Sequence, residues 1–316
     1  MDRPLRTALA ALATLAASAA LHAAPLAYSS DEGSATVSVI DTATDRVVST
    51  IATGPKPRGI AVSLDGKHLF VSEQAAGAVV VYDTTSGKKV ATIPVGKSPE
   101  GIYLSPDGKW LTAAVEENDE VAIVDTARLE VARRIRTRGK NPEHAVWSPD
   151  GKWIYASAED TDKLDIIDVA KGEVVNSLTV GTRPRGIGFL PDGSRAYVAA
   201  ETAGMVNAID VVKQQVLARI PASLRTNGIV VSRDGKHVYA SSGGKGTVQF
   251  IDTATNRIVK EIEVGERPWN MALTPDGRKL YVACGRSGTV AVVDTASMEK
   301  VGDVAVGKLP WGVAIR

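Results

Sequence analysis

The sequence predicts an all-β fold: a seven-bladed β-propeller with four antiparallel strands per blade and a last blade closed by both chain termini. Three observations predict it. They are a repeat of almost constant period, turn chemistry between short β-rich runs, and a chain end that completes the first repeat. The period is carried by a VIDT-like phrase, seen as VSVIDT, VVVYDT, VAIVDT, LDIIDV, VNAIDV, VQFIDT and VAVVDT. Its aspartates, Asp41, Asp83, Asp125, Asp168, Asp210, Asp252 and Asp294, are spaced 42, 42, 43, 42, 42 and 42 residues apart. A regular period of this length marks a repeat architecture, and it must be read before individual elements.

The elements of one repeat follow in order from GIAVSLDGKHLFVSEQAAGAVVVYDTTSGKKVATIPVG. Four runs rich in β-branched and aromatic residues are separated by Asp-Gly, by an acidic or small loop, and by TTSG. Gly, Asn and Asp tolerate the positive φ of tight turns, so each separator reads as a turn between antiparallel strands. No window carries a helical apolar stripe. Four antiparallel strands in about 42 residues form a propeller blade.

The Asp-Gly turn recurs at Asp65-Gly66, Asp107-Gly108, Asp150-Gly151, Asp192-Gly193, Asp234-Gly235 and Asp276-Gly277, six turns for seven aspartates. The missing turn locates the closure. Tyr28 lies thirteen residues before Asp41, as Phe70, Tyr155, Tyr197, Tyr239 and Tyr281 lie before theirs, so LAYSS is a second strand without a local first strand. The C-terminal PWGVAIR supplies it. Residues 311–316 are therefore expected innermost, with residues 26–54 giving the other three strands, which removes free edges and ties down both termini.

Arg3 and Arg6 precede an Ala/Leu-rich run from Thr7 to Leu21 and the small-residue stretch HAAP. Residues 1–23 read as a secretory signal peptide, cut after Ala23, leaving residues 24–316 as a single propeller domain. The apolar run is too short for a membrane span. The mature protein is expected to be periplasmic or secreted, without a membrane anchor, and monomeric. Its removal leaves basic and acidic side chains equal in number, from a chain of net charge +1, so no global field attracts nucleic acid. The lone Cys284 excludes an internal disulfide, a four-cysteine zinc site and a CxxCH haem attachment. It is either buried and inert or a reactive thiol.

The second strands LFVSE, IYASA, AYVAA, VYASS and LYVAC, with the VIDT and PDG phrases, resemble the YVTN-repeat seven-bladed propellers over the whole mature chain. Within them the chain is similar to exported propellers associated with PQQ-dependent alcohol catabolism, which accompany a transport system and quinoprotein dehydrogenases. The resemblance implies the series Arg, Glu, Glu, Arg, a variable residue, Trp and Trp at one position of the seven blades and an LPWGV ending. Here these are Arg58, Glu100, Glu143, Arg185, Asn227, Trp269 and Trp311; His144 replaces a small or apolar neighbour. The resemblance implies a shared pathway and no bound cofactor, because PQQ and haem d1 enzymes are usually eight-bladed.

That position also has a physical reading. The crossover between blades enters the channel wall there, so its seven copies ring one mouth. The loop between second and third strands opens on the same face and brings Asp31, Glu32, Glu73, Glu116, Glu117, Glu159, Asp160 and Glu201. Arg58, Glu100, Glu143, His144, Arg185, Asn227, Trp269 and Trp311 are therefore the ligand-binding candidates. Trp269 and Trp311 read either as a flat stacking wall or as a cover on the channel. Glu100, Glu116, Glu143 and Glu159 with His144 have the donor chemistry of a divalent-cation site. The alternative, which the scattered ligands favour, is Arg–Glu ion pairs beside a solvated His144, and no metal is expected. Trp110, Trp153, His68 and His237 follow DGK-type turns on the other face. The arginines of ARRIRTRGK lie on an outermost strand, where charge blocks edge pairing or docks a partner.

No GxSxG, HExxH, P-loop or dinucleotide fingerprint is present, so no catalytic residue is assigned. The expected function is non-enzymatic binding of a small molecule or a periplasmic protein partner, accessory to quinoprotein-linked alcohol oxidation. The alternatives are a lactonase-like hydrolase and a general protein-interaction scaffold.

Overall fold

The computed structural model describes residues 24–316; the predicted signal peptide lies outside them. Among the described residues, twenty-eight strands form seven four-stranded antiparallel sheets arranged as blades. Blade 1 pairs Pro310–Ile315 with Leu26–Asp31, followed by Thr36–Asp41 and Arg46–Ala52. Blades 2 to 7 start from the inner strands Pro57–Val62, Pro99–Leu104, Pro142–Trp147, Pro184–Phe189, Thr226–Val231 and Pro268–Leu273. The predicted two-ended blade is what forms. Ala27 pairs with Ile315 and Ser29 with Val313, and Leu26 and Arg316 exchange backbone hydrogen bonds of 2.9 and 3.0 Å.

The repeat phrases have identifiable work. In the Asp-Gly turn, Asp65 Oδ1 accepts from Ser63 Oγ and Lys67 N, while Gly66 takes φ +74°. In the VIDT phrase, Asp41 Oδ1 accepts from Ala43 N and starts the next turn. The following threonine ties that turn to the Asp-Gly turn, as Thr84 Oγ1 does to Gly66 O at 2.7 Å. Small hydroxyls of the second strand join blades: Ser30 donates to Arg58 O, Ser72 to Glu100 O and Ser241 to Trp269 O.

Inner strands converge so closely at the channel that a Cβ on Gly59 would lie 2.3 Å from Glu100 O, and one on Gly186 2.4 Å from Asn227 O. Hence five blades carry glycine one residue beyond the inner-ring position, at Gly59, Gly101, Gly186, Gly228 and Gly312. Blades 4 and 7 carry His144 and Asn270 instead. Between blades, the core is apolar; one cluster packs Phe70, Val79, Val81 and Ile93 of blade 2 against Ile102, Leu111 and Val124 of blade 3.

Candidate functional site: the charged channel mouth

Two rings of side chains surround one mouth. The inner ring is Arg58, Glu100, Glu143, Arg185, Asn227, Trp269 and Trp311. An outer ring lies two residues earlier in each crossover: Lys56, Ser98, Asn141, Arg183, Arg225, Arg267 and Leu309, every one with φ between 52° and 62°. That left-handed geometry is uncommon away from glycine. The crossover before blade 4 holds the extra residue of the 43-residue spacing, between Arg136 and Pro142.

On the acidic half of the mouth the charges are paired. Arg58 Nη1 meets Glu100 Oε1 at 2.6 Å and its Nε meets Glu32 at 3.3 Å; Gln74 Nε2 also donates to Glu100 Oε1. Arg185 holds Glu143, Glu159 and Glu201, the last two at 2.9 Å each. Burial raises the Glu100 carboxyl, the Glu143 carboxylate raises it further, and Arg58 only partly offsets them, leaving it at about 8. Burial acts on the Glu143 and Glu159 pair in the same direction. Arg185 and a hydrogen bond from Glu159 nevertheless hold Glu143 below the usual carboxylate range, so the proton retained by the pair sits on Glu159.

Ligand atoms of Glu116, Glu143 and Glu159 lie within 4.8 Å of one another, three of the predicted metal candidates. Arg185 occupies that cluster with its guanidinium, and Arg183 pairs with Glu159 as well. The predicted Arg–Glu pairs are present, but the expected solvated histidine is not: His144 is 0% exposed. Gly101 makes the room, since a Cβ there would lie 3.0 Å from His144 Nδ1. The same nitrogen is hydrogen-bonded to Tyr103 Oη. Burial, with a smaller contribution from Arg185, lowers the imidazole pKa to about 4 against the opposing pull of Glu143.

Trp311 reaches across the channel and stacks on His144, with ring centroids 6.0 Å apart and planes 13° from parallel. It covers the channel, leaving about 120 Å³ beneath it bordered by Tyr103, Asn270 and Met271. Trp269 is separate and half-buried, with the Arg267 guanidinium 4.3 Å above its ring centroid. It borders a rim cavity of about 500 Å³ that also takes in Arg183, Arg225, Arg267 and Arg286. Sequence reasoning missed these four arginines. Arg183, Arg225 and Arg267 share one repeat position, two residues before the inner ring, in TRPRG, LRTNG and ERPWN; Arg286, in the blade 7 loop, carries no such signal.

Several buried polar atoms at the mouth have no hydrogen-bond partner among the described residues: Glu100 Oε2, His144 Nε2 and both amide atoms of Asn227. Trp110 and Trp153 pack against core clusters, and His68 sets its ring against Phe70. Arg133 and Arg138 donate to Val169 O and Val174 O of the next blade. Cys284 is buried, and burial pushes its thiol up to about 12.

Fold and mouth together define a seven-bladed propeller with a charge-lined, ligand-sized opening at one end of its channel. Residues 9–187 match the family described as the cytochrome D1 heme domain, and the chain belongs to it. Residues 170–304 match the seven-bladed β-propeller lactonases. The haem d1 proteins were set apart above by blade number; the family match removes that separation, since blades of one repeat type close rings of different size. No curated protein matches the chain. Among solved structures it is similar to Kuenenia stuttgartiensis hydrazine synthase at 25% identity, with 86% of this chain and 92% of that chain covered and a TM-score of 0.78. A functionally unknown protein from Desulfotomaculum acetoxidans DSM 771 aligns at 21% identity, over 92% and 98% of the two chains, with a TM-score of 0.81. Dihydro-heme d1 dehydrogenase NirN in complex with DHE aligns at 17% identity, over 91% and 74%, with a TM-score of 0.69.

The residues present do not fit a haem iron. The one imidazole at the mouth among the described residues, His144, is covered by Trp311, and the 120 Å³ beneath is well under the roughly 300 Å³ at which pockets for drug-sized ligands begin. Among the described residues, no His, Cys, Met or Tyr side chain lines the rim cavity.

Proposed function

We propose that this is an exported, non-enzymatic propeller that binds a small molecule at the charged mouth, accessory to quinoprotein-linked alcohol oxidation. The observation that carries the reading is the set of buried polar atoms on Glu100, His144 and Asn227, gathered at one mouth without a hydrogen-bond partner among the described residues. Buried polar groups are costly unless paired, and their concentration at one mouth favours an arriving ligand. The signal-like N-terminus supports export, and the LPWGV ending with its ring of inner residues supports the quinoprotein link. A screen of small molecules by tryptophan fluorescence tests it. Trp269→Ala and Trp311→Ala should each weaken the response, while Trp110→Ala and Trp153→Ala leave it intact; equal loss from the latter pair places binding elsewhere.

A lactonase-like hydrolase is the second reading, favoured by the match of residues 170–304. Turnover of gluconolactone that disappears in His144→Ala would establish it. The packing of His144 between Tyr103 and Trp311 supports the binding reading instead.

A further inference from the structure

The charge of the mouth is divided. At the first residue after the second strand, blades 1, 3, 4 and 5 carry Glu32, Glu116, Glu159 and Glu201, and blade 2 carries Gln74. Blades 6 and 7 carry Gly243 and Gly285. The two glycines leave space that basic and aromatic side chains fill. A Cβ on Gly243 would lie 3.1 Å from Arg267 Nη1, and one on Gly285 2.7 Å from Trp269 Nε1.

Three consecutive outer-ring positions there are arginines, and Arg286 of the blade 7 loop adds a fourth around the same cavity of about 500 Å³. One lining carboxylate, Glu201, faces them, and it is already shared by Arg183 at 3.8 Å, Arg185 at 2.9 Å and Arg267 at 3.1 Å. Arg225 and Arg286 have no carboxylate partner among the described residues, and Arg267 Nη1 is buried without any partner. Burial, with smaller contributions from the neighbouring Arg225 and Arg185, lowers the Arg267 pKa against the opposing pull of Glu201. The cavity is not polar throughout: Leu224 and Leu309, 65% and 48% exposed, flank it, and the stacked Arg267–Trp269 pair gives it a flat wall.

We propose that this rim cavity of blades 5 to 7 binds a flat aromatic anion carrying at least two carboxylates, its ring on the Trp269–Arg267 wall and its carboxylates on Arg225 and Arg286. A guanidinium fork matches a carboxylate in two parallel hydrogen bonds, and two such groups at opposite sides of a flat body suit four arginines better than a single negative charge would. The leucines and indole select an apolar body over an aliphatic polyol. The inference rests on the reading that the mouth is a small-molecule site, and it adds the ligand's charge and shape.

Naphthalene-2,6-dicarboxylate and its neutral dimethyl ester are the probes, titrated into the full mature protein by calorimetry and tryptophan fluorescence. The dianion is expected to bind, to weaken at least tenfold in Arg225→Gln/Arg286→Gln and again as salt is raised, while the ester does not bind. These two arginines hold no ion pair, so the double variant should keep the parent melting temperature. Gly285→Ala keeps every charge but displaces the indole, and should weaken the dianion as well. Dianion affinity unchanged in the double variant overturns the proposal. An ester that binds as well as the dianion, with a response lost in Trp269→Ala, also overturns it while leaving the mouth a small-molecule site. No response to either probe at millimolar concentration overturns the proposal too; a response of Trp269 to other ligands in the fluorescence screen then shows that the broader reading stands.

Discussion

Trp311 of blade 1 and His144 of blade 4 stack with their rings nearly parallel although their blades are as far apart as a seven-membered ring allows. The contact closes the channel, and it exists because blade 4 replaces the wall glycine with histidine while Gly101 of blade 3 leaves the space that the imidazole fills.

Trp311→Ala should therefore do two things at once. It removes a buried indole, at a cost of about 3–5 kcal/mol of the kind measured for Phe or Trp to Ala, read as a lowered denaturant midpoint. It also lets water reach His144, so the imidazole, held at about 4 chiefly by burial, should titrate closer to the ordinary histidine value in an NMR pH series. A His144 resonance that titrates as in the parent would show that Trp311 is not what keeps it dry.

The C-terminal strand is expected to be indispensable. Deleting residues 311–316 strips Leu26–Asp31 of its inner partner strand, leaves it as a free edge and opens the ring at blade 1. The truncated chain should melt far below the parent or fail to fold. A truncated protein with the parent's melting curve would mean that the ring does not depend on its own closure.

Much of this was legible in the sequence, and the limit has a physical cause. Repeat arithmetic is local: each Asp, each Asp-Gly turn and each inner-ring residue occupies one place in a blade, so counting placed Arg58 beside Glu100 and identified the split blade from Tyr28 and Trp311. Reach is not local. Nothing in the spacing says that the Trp311 side chain crosses the channel to His144, because that depends on channel width and on the absent side chain of Gly101. Arg183, Arg225 and Arg267 stand before a Pro or Thr in crossovers whose composition does not mark them. Repeat arithmetic can find their shared position, but that the three surround one rim cavity, on a left-handed backbone repeated in every crossover, is seen only in the folded chain.

Removing Arg185 should be far more damaging than removing any ion. Arg185→Ala leaves Glu143, Glu159 and Glu201 buried together without their shared guanidinium. Breaking a buried pair in this way costs about 3–5 kcal/mol. A chelator should leave the parent's melting temperature unchanged, and elemental analysis of protein purified without a metal-binding tag should find less than one metal per chain. Stoichiometric divalent metal would mean that the carboxylates of Glu116, Glu143 and Glu159 share their cluster with a cation as well as with arginine.

The buried carboxyls make a prediction about pH whose sign can be worked out. Glu100 is raised by burial and by Glu143 to about 8, from 4.5 in the unfolded chain. A group of this kind lends stability that is complete below 4.5 and is lost as pH rises through about 8, because the folded state keeps a proton that the unfolded chain has released. Glu159, also raised, acts with the same sign. His144 acts oppositely: its folded value of about 4 lies below the ordinary 6.5, so its contribution is present above 6.5 and lost as pH falls toward 4. From pH 6.5 to 8 only the carboxyls remain in play, and the melting temperature of the parent should fall across that interval. Glu100→Gln mimics the protonated side chain and keeps an oxygen for Arg58, so its melting temperature should fall less steeply and overtake the parent's near pH 8. At about 2–4 °C for each kcal/mol in a domain of this order, the difference is measurable by differential scanning calorimetry. A Glu100→Gln curve parallel to the parent's from pH 6.5 to 8 would show that Glu100 is already ionised in the folded mouth.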